Sequence, residues 1–406
     1  MPINWWIARA RARAIAGQVA AAVPRRGPNL PIIYVPGILG VKLHDRTSGV
    51  DIWGAPGPIL RPDPRHKSYA VDDSDDVVAT ETLHHFAIVP RVIETLVTAE
   101  MVATLGAALG YREGHDLIFL AHDWRRDYRR VAERLELELA RLRHDFGPRT
   151  RVVIIGQSVA NLAIRQMVRR ATPTTRAMIA RWYAFGPPWR GTYNSLKMLR
   201  EGYYPAGRRF RGFTPAEAAT FAPCYQLLPA DGRLLDDDGR AMAGFDLYRA
   251  ECWREHGLGD PALRRADAAT LAALQTRLDD ARAFAAEVDG TDAGEQAVSQ
   301  LWFAGDRNHA VTAAVASADG ARVDEASLRA HHPGLASQTL AVGDDHIPLA
   351  HLTAAPPGPI VRSYDALPYG ESCLVIGQPK DHRALINYPA NLRALAIDLA
   401  VTGRDA

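Results

Sequence analysis

Short, continuously apolar runs recur along this chain and alternate with segments in which apolar residues return every three or four positions. The runs predict strands at 32–35, 116–121, 151–155, 181–185, 300–304, 338–342 and 373–376. Helical patterns lie between several of them, as at 130–143 and 161–170. Runs without apolar–polar alternation are typical of parallel strands covered on both faces. The pattern therefore predicts an α/β fold with a mostly parallel, doubly wound sheet.

Two regions interrupt this alternation. Residues 44–85 are rich in Asp, Pro, Gly and His, which predicts a long irregular excursion resembling a lid. Residues 192–298 show little strand signal and a strong helix near 261–288, which predicts a helical cap inserted after a central strand. A cap can exclude water and shape a pocket, but a helical subdomain without a gating role fits equally. We expect four segments: a helical extension (1–29), the first part of the core (30–191), the cap (192–298) and the second part of the core (299–406).

The N-terminal segment predicts a helix with one apolar stripe, formed by Ala8, Ala12, Ile15, Val19 and Val23. Tryptophans and arginines nearby favour peripheral membrane contact through residues 1–26. The alternative is packing on the protein's own surface, which we prefer because the stripe is mostly alanine. The segment lacks the order of a secretory signal, and no apolar run is long enough to predict a transmembrane helix.

Composition excludes several classes of function. The net charge of +2 over 406 residues gives no field directed at nucleic acid. The three cysteines are far apart and odd in number, so neither a disulfide framework nor a cysteine metal site is predicted. His346 and His351 have no partner at metal-ligand spacing. We expect a cytoplasmic protein, with the membrane surface as an alternative location, and neither metal nor cofactor.

Candidate chemistry centres on Ser158. The string Gly-Gln-Ser-Val-Ala at 156–160 ends a β-branched run and opens a helical pattern. This is the layout of a nucleophile elbow, in which a strained strand-to-helix turn exposes a serine hydroxyl at the edge of a sheet. Alanine fills the last glycine position of the elbow pattern, so the string alone is a weak indication.

A serine nucleophile needs a base, an acid and an oxyanion hole. Asp344 follows the run at 338–342 and His382 follows the run at 373–376, which gives the order Ser, Asp, His of α/β hydrolases. Taken singly, Asp344 also fits a turn residue and His382 a surface or helix-start histidine. Their order and their places after predicted strands favour a Ser158–Asp344–His382 triad.

The oxyanion hole is predicted from two backbone N–H groups. One is that of Val159, directly after the serine, and the other is that of Ile38, in the glycine-bracketed loop 36–40 after the first strand. Without the other motifs, the loop fits a plain tight turn.

From about residue 30 to 400 the chain resembles the lecithin:cholesterol acyltransferase family, which includes lysosomal phospholipases and phospholipid:diacylglycerol acyltransferases. The similar strings are Val-Pro-Gly at 35–37, Asp-Ile-Trp-Gly at 51–54, Gly-Tyr at 110–111, His-Asp-Trp-Arg at 122–125, Phe-Gly-Pro-Pro-Trp-Arg-Gly at 185–191, Pro-Cys-Tyr-Gln-Leu-Leu-Pro at 223–229 and Gly-Asp-Asp at 343–345. The resemblance implies the α/β-hydrolase fold and acyl-ester chemistry, with Ser158, Asp344 and His382 as the triad.

The resemblance also directs attention to three tryptophans. Trp53 is similar to the family's lid-region tryptophan, and Trp124 and Trp189 lie within similar strings. All three are candidates for lining an acyl or head-group pocket, with core packing as the alternative for Trp124 and Trp189. The chain departs from the family at Gln157, Ala160, Asn161 and His122, and it lacks the lid cysteine pair of secreted members.

The sequence therefore predicts a serine acyl enzyme that forms an acyl-Ser158 intermediate from an ester or thioester of a hydrophobic acyl chain. An alcohol, an amine or water would accept the acyl group, so acyltransferase and lipase or esterase activities both fit. A phospholipid, another acyl ester or an acyl-thioester would be the substrate. The alternatives are an intracellular biosynthetic thioesterase or tailoring acyltransferase and, from another class, a non-catalytic binding protein on a hydrolase scaffold.

Overall fold

The apolar runs assemble into the strands of a computed structural model, which describes residues 3–25, 27–55, 68–72, 74, 76–89, 93–205, 207, 211–377 and 381–404. In chain order the strands are β1 (Ile32–Val35), β2 (Val41–Asp45), β3 (Val50–Trp53), β4 (Val77–Thr82), β5 (His85–Val89), β6 (Ile93–Leu96), β7 (Leu117–Phe119), β8 (Val152–Gln157), β9 (Ile179–Phe185), β10 (Leu234–Leu235), β11 (Gln300–Gly305), β12 (Asn308–Val311), β13 (Ala314–Val315), β14 (Leu340–Gly343), β15 (Ile360–Val361) and β16 (Cys373–Gly377).

The helices lie between and around these strands. They are α1 (Ile3–Ala22), α2 (Ala99–Leu109), α3 (Tyr128–Phe146), α4 (Ala160–Arg170), α5 (Pro173–Ala177), α6 (Tyr193–Glu201), α7 (Pro215–Ala218), α8 (Ala222–Gln226), α9 (Ala250–His256), α10 (Ala268–Val288), α11 (Ala293–Gln296), α12 (Glu325–His331), α13 (Ala336–Thr339), α14 (Leu349–Leu352) and α15 (Pro389–Thr402). Short 3₁₀ segments occur at Pro261–Arg265, Pro333–Leu335, Tyr364–Ala366 and His382–Asn387.

The central sheet has the strand order β15-β16-β11-β9-β8-β1-β7, and every neighbouring pair in it is parallel. The prediction of a mostly parallel α/β fold is confirmed. The register pairs Val35 with Gly156 and Gly156 with Ala184, so β1, β8 and β9 end side by side. Because ligands of such sheets bind at the carboxyl ends of the strands, the loops after these three strands meet where a site is expected.

Alternate residues of the strands supply two apolar layers. On one face Ile33 and Ile154 pack with α3 and α4, and on the other Ile32 and Val153 pack with α1, α2 and α15. Side chains alternate between the faces of a strand, so a strand covered on both sides must be apolar throughout. That requirement explains why the continuously apolar runs predicted these strands.

Helix α3 illustrates how the sequence sets a helix and its buried face. The Asp127 carboxylate caps its start by accepting from the Arg129 N–H over 2.7 Å. Val131, Leu135 and Leu139 recur at four-residue spacing and are buried against the sheet. Each such side chain contributes about 1.5–3 kcal/mol on burial, which fixes the helix on the sheet.

The strand predicted at 338–342 is displaced from the sheet. Its observed counterpart, β14, pairs antiparallel with β12 in a separate two-stranded ribbon, and both Ala341 and Val342 are exposed. The prediction of a buried parallel strand at this place was wrong, because a short apolar run does not distinguish a buried strand from one in an exposed ribbon.

The prediction of an irregular excursion over residues 44–85 was also wrong for much of the described part. Strands β2, β3 and β4 form an antiparallel sheet. In β2 the buried Val41 and Leu43 alternate with the less buried Lys42 and His44, a period-two pattern that a search for continuous apolar runs overlooks. Residues 56–67, 73 and 75 of this region lie outside the described residues.

The cap has an apolar cluster of its own. Trp53, Leu196, Phe213, Trp253 and Leu328 are among its buried members, so it combines residues of the 44–85 region, of 192–298 and of the segment after β11. The short strand β10, within 192–298, pairs with β13 of that later segment. The domain limits given above remain a prediction, but this cluster extends beyond residues 192–298.

Helix α1 packs its predicted apolar stripe on the protein itself. Val19 is fully buried, Ala8, Ala12, Ile15 and Val23 are nearly so, and the helix contacts α2 and α15. The stripe is therefore occupied by intramolecular packing, as the preferred interpretation held. Within the described residues, no helix combines the length and the apolar character needed to cross a membrane.

Candidate active site

Ser158 stands between the end of β8 and the start of α4 in left-handed backbone, with a φ of 55°. A residue other than glycine held in this region costs about 1–3 kcal/mol, so its surroundings must compensate. One compensation is the Ser158 N–H, which donates to the Phe185 carbonyl on β9 over 2.8 Å. The strained turn leaves the serine partly exposed at the carboxyl edge of the sheet.

Asn161 ties the turn together from within. Its fully buried amide nitrogen donates to the carbonyls of Gly156 (3.2 Å), Ser158 (3.0 Å) and Phe185 (3.4 Å). Its amide oxygen accepts from the Trp182 indole over 3.2 Å. The Asn161 side chain thus links the end of β8, the turn at Ser158 and the end of the adjacent β9. This is a physical reason for asparagine at position 161, one of the departures from the pattern of the similar family.

The other departures at the elbow also have structural consequences. The Gln157 side-chain oxygen accepts from the hydroxyl of the fully buried Tyr34 on β1. Ala160 is completely buried, so its methyl group is accommodated where the strand and helix meet. A Cβ at Gly156 would lie 2.5 Å from Ile164 Cδ1, so the close approach of β8 to α4 depends on Gly156.

The side chains of Ser158, His382 and Asp344 form a hydrogen-bonded chain. His382 Nε2 lies 2.9 Å from Ser158 Oγ, and Nδ1 lies 2.6 Å from Asp344 Oδ2. Burial opposes the imidazolium, but the charge and hydrogen bond of Asp344 outweigh it and raise the pKa of His382 above its ordinary value of 6.5. The structure thus brings together the three residues that the sequence named, in the geometry of a nucleophile, a base and an orienting acid.

The loop after β14 fixes the carboxylate of Asp344. Its second oxygen accepts from the backbone N–H groups of His346 (3.2 Å) and Ile347 (2.9 Å). Asp345 adopts a φ of 84°, and the Thr192 hydroxyl donates to the His346 carbonyl. Asp344 is fully buried and reaches His382 from a ribbon beside the sheet, rather than from the end of a sheet strand.

Two further residues bound the imidazole of His382. Gly186, after β9, has a φ of 57°, and a Cβ placed on it would lie 2.6 Å from His382 Cε1. The His346 ring stacks on the His382 ring at a centroid distance of 5.4 Å. Gly186 lies in the string at 185–191 that resembles the family, but the sequence predicted no role for it. The strand end that precedes it was the available signal.

The loop 36–40 lies directly against the serine. A Cβ on Gly37 would come within 3.0 Å of Ser158 Cβ, so this loop is in contact with the elbow. Among the described residues, neither the Ile38 nor the Val159 N–H donates to a protein acceptor. Both groups therefore have the availability that an oxyanion hole requires, and their assignment remains a prediction.

Trp53 and Trp124 pack within the cap cluster. Trp53 and Trp124 are 2% and 1% exposed, and their rings meet edge to face at 5.7 Å. The Trp53 indole donates to the Leu39 carbonyl over 3.0 Å, and the Trp124 indole donates to the Val41 carbonyl over 3.1 Å. The two indoles thus bind the backbone of the loop 36–40 and of β2, which agrees with the core-packing alternative for Trp124, and a role of either residue in lining a substrate pocket remains a prediction.

Trp189 is buried beside the elbow helix α4 and contacts tryptophans of the central sheet. It is 4% exposed, its ring lies 4.5 Å from that of Trp302, and the Arg165 guanidinium covers it at 3.6 Å. The Arg165 side chain is paired with Glu295. Trp189 therefore also packs in the interior of the protein.

Other polar groups near the site have structural partners. Asp123 and Arg125 form a two-point ion pair at 2.7 and 2.9 Å, and Arg125 also donates to the Tyr69 carbonyl. His351 bonds the Gly191 carbonyl and Asp231. In the described part of the chain, no three His, Cys, Asp or Glu side chains are grouped to hold a metal ion.

Comparisons with known proteins bear on the fold. No protein-family model and no curated protein matches the sequence. Among solved structures, a chain of the Tle4–Tli4 complex is similar over 92% of this chain and 98% of its own length, with 13% identity and a TM-score of 0.59. The mature Bacillus licheniformis lipase BlEst2 is 11% identical over 90% of both chains, but its TM-score of 0.35 is too low to carry an argument. At such identities a likeness concerns the fold alone, and the likeness to the chain of the Tle4–Tli4 complex agrees with the α/β architecture described above.

Proposed function

We propose that this protein is a serine acyl enzyme that acts on an ester or thioester of a hydrophobic acyl chain. The observation that carries the proposal is the unbroken hydrogen-bonded chain from Ser158 Oγ through His382 to Asp344. It begins at a serine held in strained left-handed backbone at the carboxyl edge of the sheet. Strain maintained at a reactive group supports a functional role, and it counts against a relic scaffold that only binds.

Acylation follows from the positions of these groups. His382 Nε2 accepts the Ser158 proton as Oγ forms a bond to the acyl carbonyl carbon, and Asp344 stabilises the resulting imidazolium. The N–H groups of Ile38 and Val159 hold the oxyanion. Collapse of the tetrahedral intermediate breaks the bond to the leaving alkoxide or thiolate, which takes the proton from His382. The acyl group is then esterified to Ser158.

Deacylation repeats these steps with a new nucleophile. An acceptor O–H or N–H gives its proton to His382 and bonds to the acyl carbon, and Ser158 leaves and regains its proton. Water yields the free acid, whereas an alcohol or amine yields a new ester or amide. The acyltransferase activity implied by the resemblance to the lecithin:cholesterol acyltransferase family and the lipase activity differ only in this acceptor.

The surroundings of the elbow favour an apolar acyl chain. Ile38 and Leu39 are half-buried and pack against the cap cluster, as do Met198 and Tyr203 of the cap. Partly exposed apolar side chains between the loop 36–40 and the cap would be covered by a hydrocarbon chain, with a gain of about 25 cal/mol per Å² of apolar surface removed from water. A lipid ester is therefore the substrate class we expect.

The test is covalent labelling of Ser158. Separate samples of the wild-type protein are treated with a fluorophosphonate probe or with one of a panel of phospholipids, p-nitrophenyl esters and acyl-thioesters, and intact mass reports the adduct. We expect one adduct, which Ser158→Ala abolishes and Ser337→Ala, at an exposed serine of α13, leaves unchanged. No adduct on the wild-type protein, or an adduct that survives Ser158→Ala, would contradict the proposal.

A further inference from the structure

Helix α1 has a second face, opposite its buried stripe, whose residues are exposed. Trp6 is 63% exposed and Ile7 is 45% exposed. Small apolar residues continue this face at helical spacing, and all of them are exposed: Ala10, Ala14, Gly17 and Ala21. The helix is therefore apolar on two sides, which is unusual for a helix with one side facing water.

Arginines flank this outward face. Arg9 and Arg13 are exposed along one side of it, and Arg11 is exposed on the other. The Arg9 guanidinium also lies 3.3 Å from the centre of the Trp5 ring. Apolar residues bordered by arginines, with tryptophans at one end, form the arrangement that interfacial helices present to a lipid headgroup region.

The charge of this segment differs in sign from that of the rest of the chain. Residues 1–26 contain five arginines, and the first acidic residue is Asp45. The remaining residues carry 43 basic against 46 acidic side chains, because the whole chain has 48 and 46. The positive charge is thus concentrated in the N-terminal segment, where it complements an anionic surface.

Helix α1 also lies close to the segment that carries His382. Arg11, which is paired with Glu100 at 2.9 Å, lines a cavity of about 360 Å³ together with Asp381 and Arg383, the two neighbours of His382. A surface bound through α1 would therefore lie near the edge of the proposed active site.

We propose that the outward face of α1, from Trp6 to Ala21 with its flanking arginines, docks the protein on an anionic lipid surface. The buried stripe keeps the helix attached to α2 and α15 while the opposite face contacts lipid. The contact combines burial of Trp6 and Ile7 at the interface with attraction of the arginines to acidic headgroups. Binding of this kind does not require a functioning active site.

Vesicle co-sedimentation tests this proposal in the Ser158→Ala background, so that lipid is not consumed. We expect binding to phosphatidylcholine vesicles that contain phosphatidylglycerol, weaker binding to phosphatidylcholine alone, and a decline of binding with added salt. Trp6→Ser with Ile7→Ser, and separately Arg9→Gln with Arg13→Gln, should each weaken binding about tenfold or more. The matched control is Leu137→Ser, which removes a 71% exposed apolar side chain from α3 and should leave binding unchanged.

Three outcomes would overturn the proposal. They are no binding of the parent protein to anionic vesicles, equal binding of the Trp6/Ile7 variant, and a dimer in sedimentation velocity that this variant dissociates. The last would assign the face to a second copy of the chain. Vesicle binding does not depend on catalysis, so its failure would not contradict the proposed reaction at Ser158. In the Trp6/Ile7 variant with an intact serine, labelling of Ser158 by a water-soluble p-nitrophenyl ester should equal that of the wild-type protein.

Discussion

At the residue scale, the amide of Asn161 offsets the strain at Ser158. Removing it leaves three carbonyls without this donor and the buried Trp182 indole without an acceptor. Buried groups that lose a partner cost about 1–3 kcal/mol each, so Asn161→Ala should lower the free energy of unfolding by about 2–4 kcal/mol. Denaturant unfolding at an unchanged m-value measures it. A loss below about 0.5 kcal/mol would mean that water replaces these bonds.

Gly186 is the residue whose substitution should most directly displace the proposed base. In Gly186→Ala the new Cβ would lie 2.6 Å from His382 Cε1, and a shift of the imidazole by about 1 Å can cost 100-fold in rate. We expect kcat/KM to fall by about that factor with the fold retained. Gly244→Ala is the matched control, since Gly244 has a φ of 73° but a Cβ placed on it would meet no atom within 4 Å. Equal losses in both variants would assign the effect to backbone strain.

The acid side of the pH profile follows from the pKa of His382. Because that pKa is raised mainly by Asp344 against the effect of burial, the base is lost as pH falls through a midpoint above 6.5. Asp344→Asn removes the charge, so the midpoint should move to lower pH and kcat should fall by about 10³–10⁴. The pH dependence of kcat/KM for a soluble ester reports both effects. A midpoint that stays in place would show that another group titrates.

Residue contacts of this kind lie beyond what the sequence could predict. Gly186 and His382 are almost 200 positions apart, and their contact depends on the packing of two loops. The order of Ser158, Asp344 and His382 was readable because each follows an apolar run. The runs before Ser158 and His382 are strands of the central sheet, whose ends gather at one edge, whereas the run before Asp344 belongs to the separate ribbon. The backbone angle of Ser158 was readable only from the elbow pattern.

At the element scale, a buried ion pair joins β9 to the C-terminal helix α15. Arg181 and Asp398 are 1% and 0% exposed and meet at 2.8 Å, and Asp398 also accepts from the Tyr183 hydroxyl and the Gly370 N–H. Asp398→Asn would leave the Arg181 charge buried without its counter-ion, at about 3–5 kcal/mol of unfolding free energy. The double variant Arg181→Met, Asp398→Asn removes that charge and should be more stable than the single one. Thermal and denaturant unfolding of both provide the comparison, and a double variant less stable than the single would contradict it.

The elements themselves were predictable in proportion to how much of each is buried. The strands β8 and β9 are buried over almost their whole length, consist mainly of apolar residues, and were predicted within a few residues. The strand β2 was missed because only one of its faces is buried, so its apolar residues alternate with polar ones. The ribbon strand β14 was misplaced because its short apolar run does not indicate which strand it pairs with. Strand pairing in the cap depends on contacts between segments that are distant in sequence, and no local pattern encodes it.

At the scale of the whole molecule, the cap and the central sheet meet at the proposed active site. Tyr203, in the cap, lies near Arg383, the residue after His382: burial raises the pKa of the Tyr203 hydroxyl, and the Arg383 charge partly offsets that effect. Its ring also lies 6.3 Å from that of Trp53, which is bonded to the loop 36–40. The cap thus contacts both the segment that carries the base and the loop that carries a proposed oxyanion donor.

This contact predicts how access to Ser158 is controlled. Tyr203→Phe keeps the ring and removes the hydroxyl that interacts with the Arg383 charge, so it weakens the polar contact between the cap and the segment that carries His382. Labelling of Ser158 by a bulky fluorophosphonate should therefore be faster in the variant, while labelling by a small one changes little, because only the bulky probe needs the cap to move. Tyr248→Phe is the matched control, since Tyr248 lies in the cap beside another arginine, Arg282, at 4.9 Å. If both probes respond equally to Tyr203→Phe, the Tyr203 hydroxyl acts on the position of His382, and the cap does not limit entry.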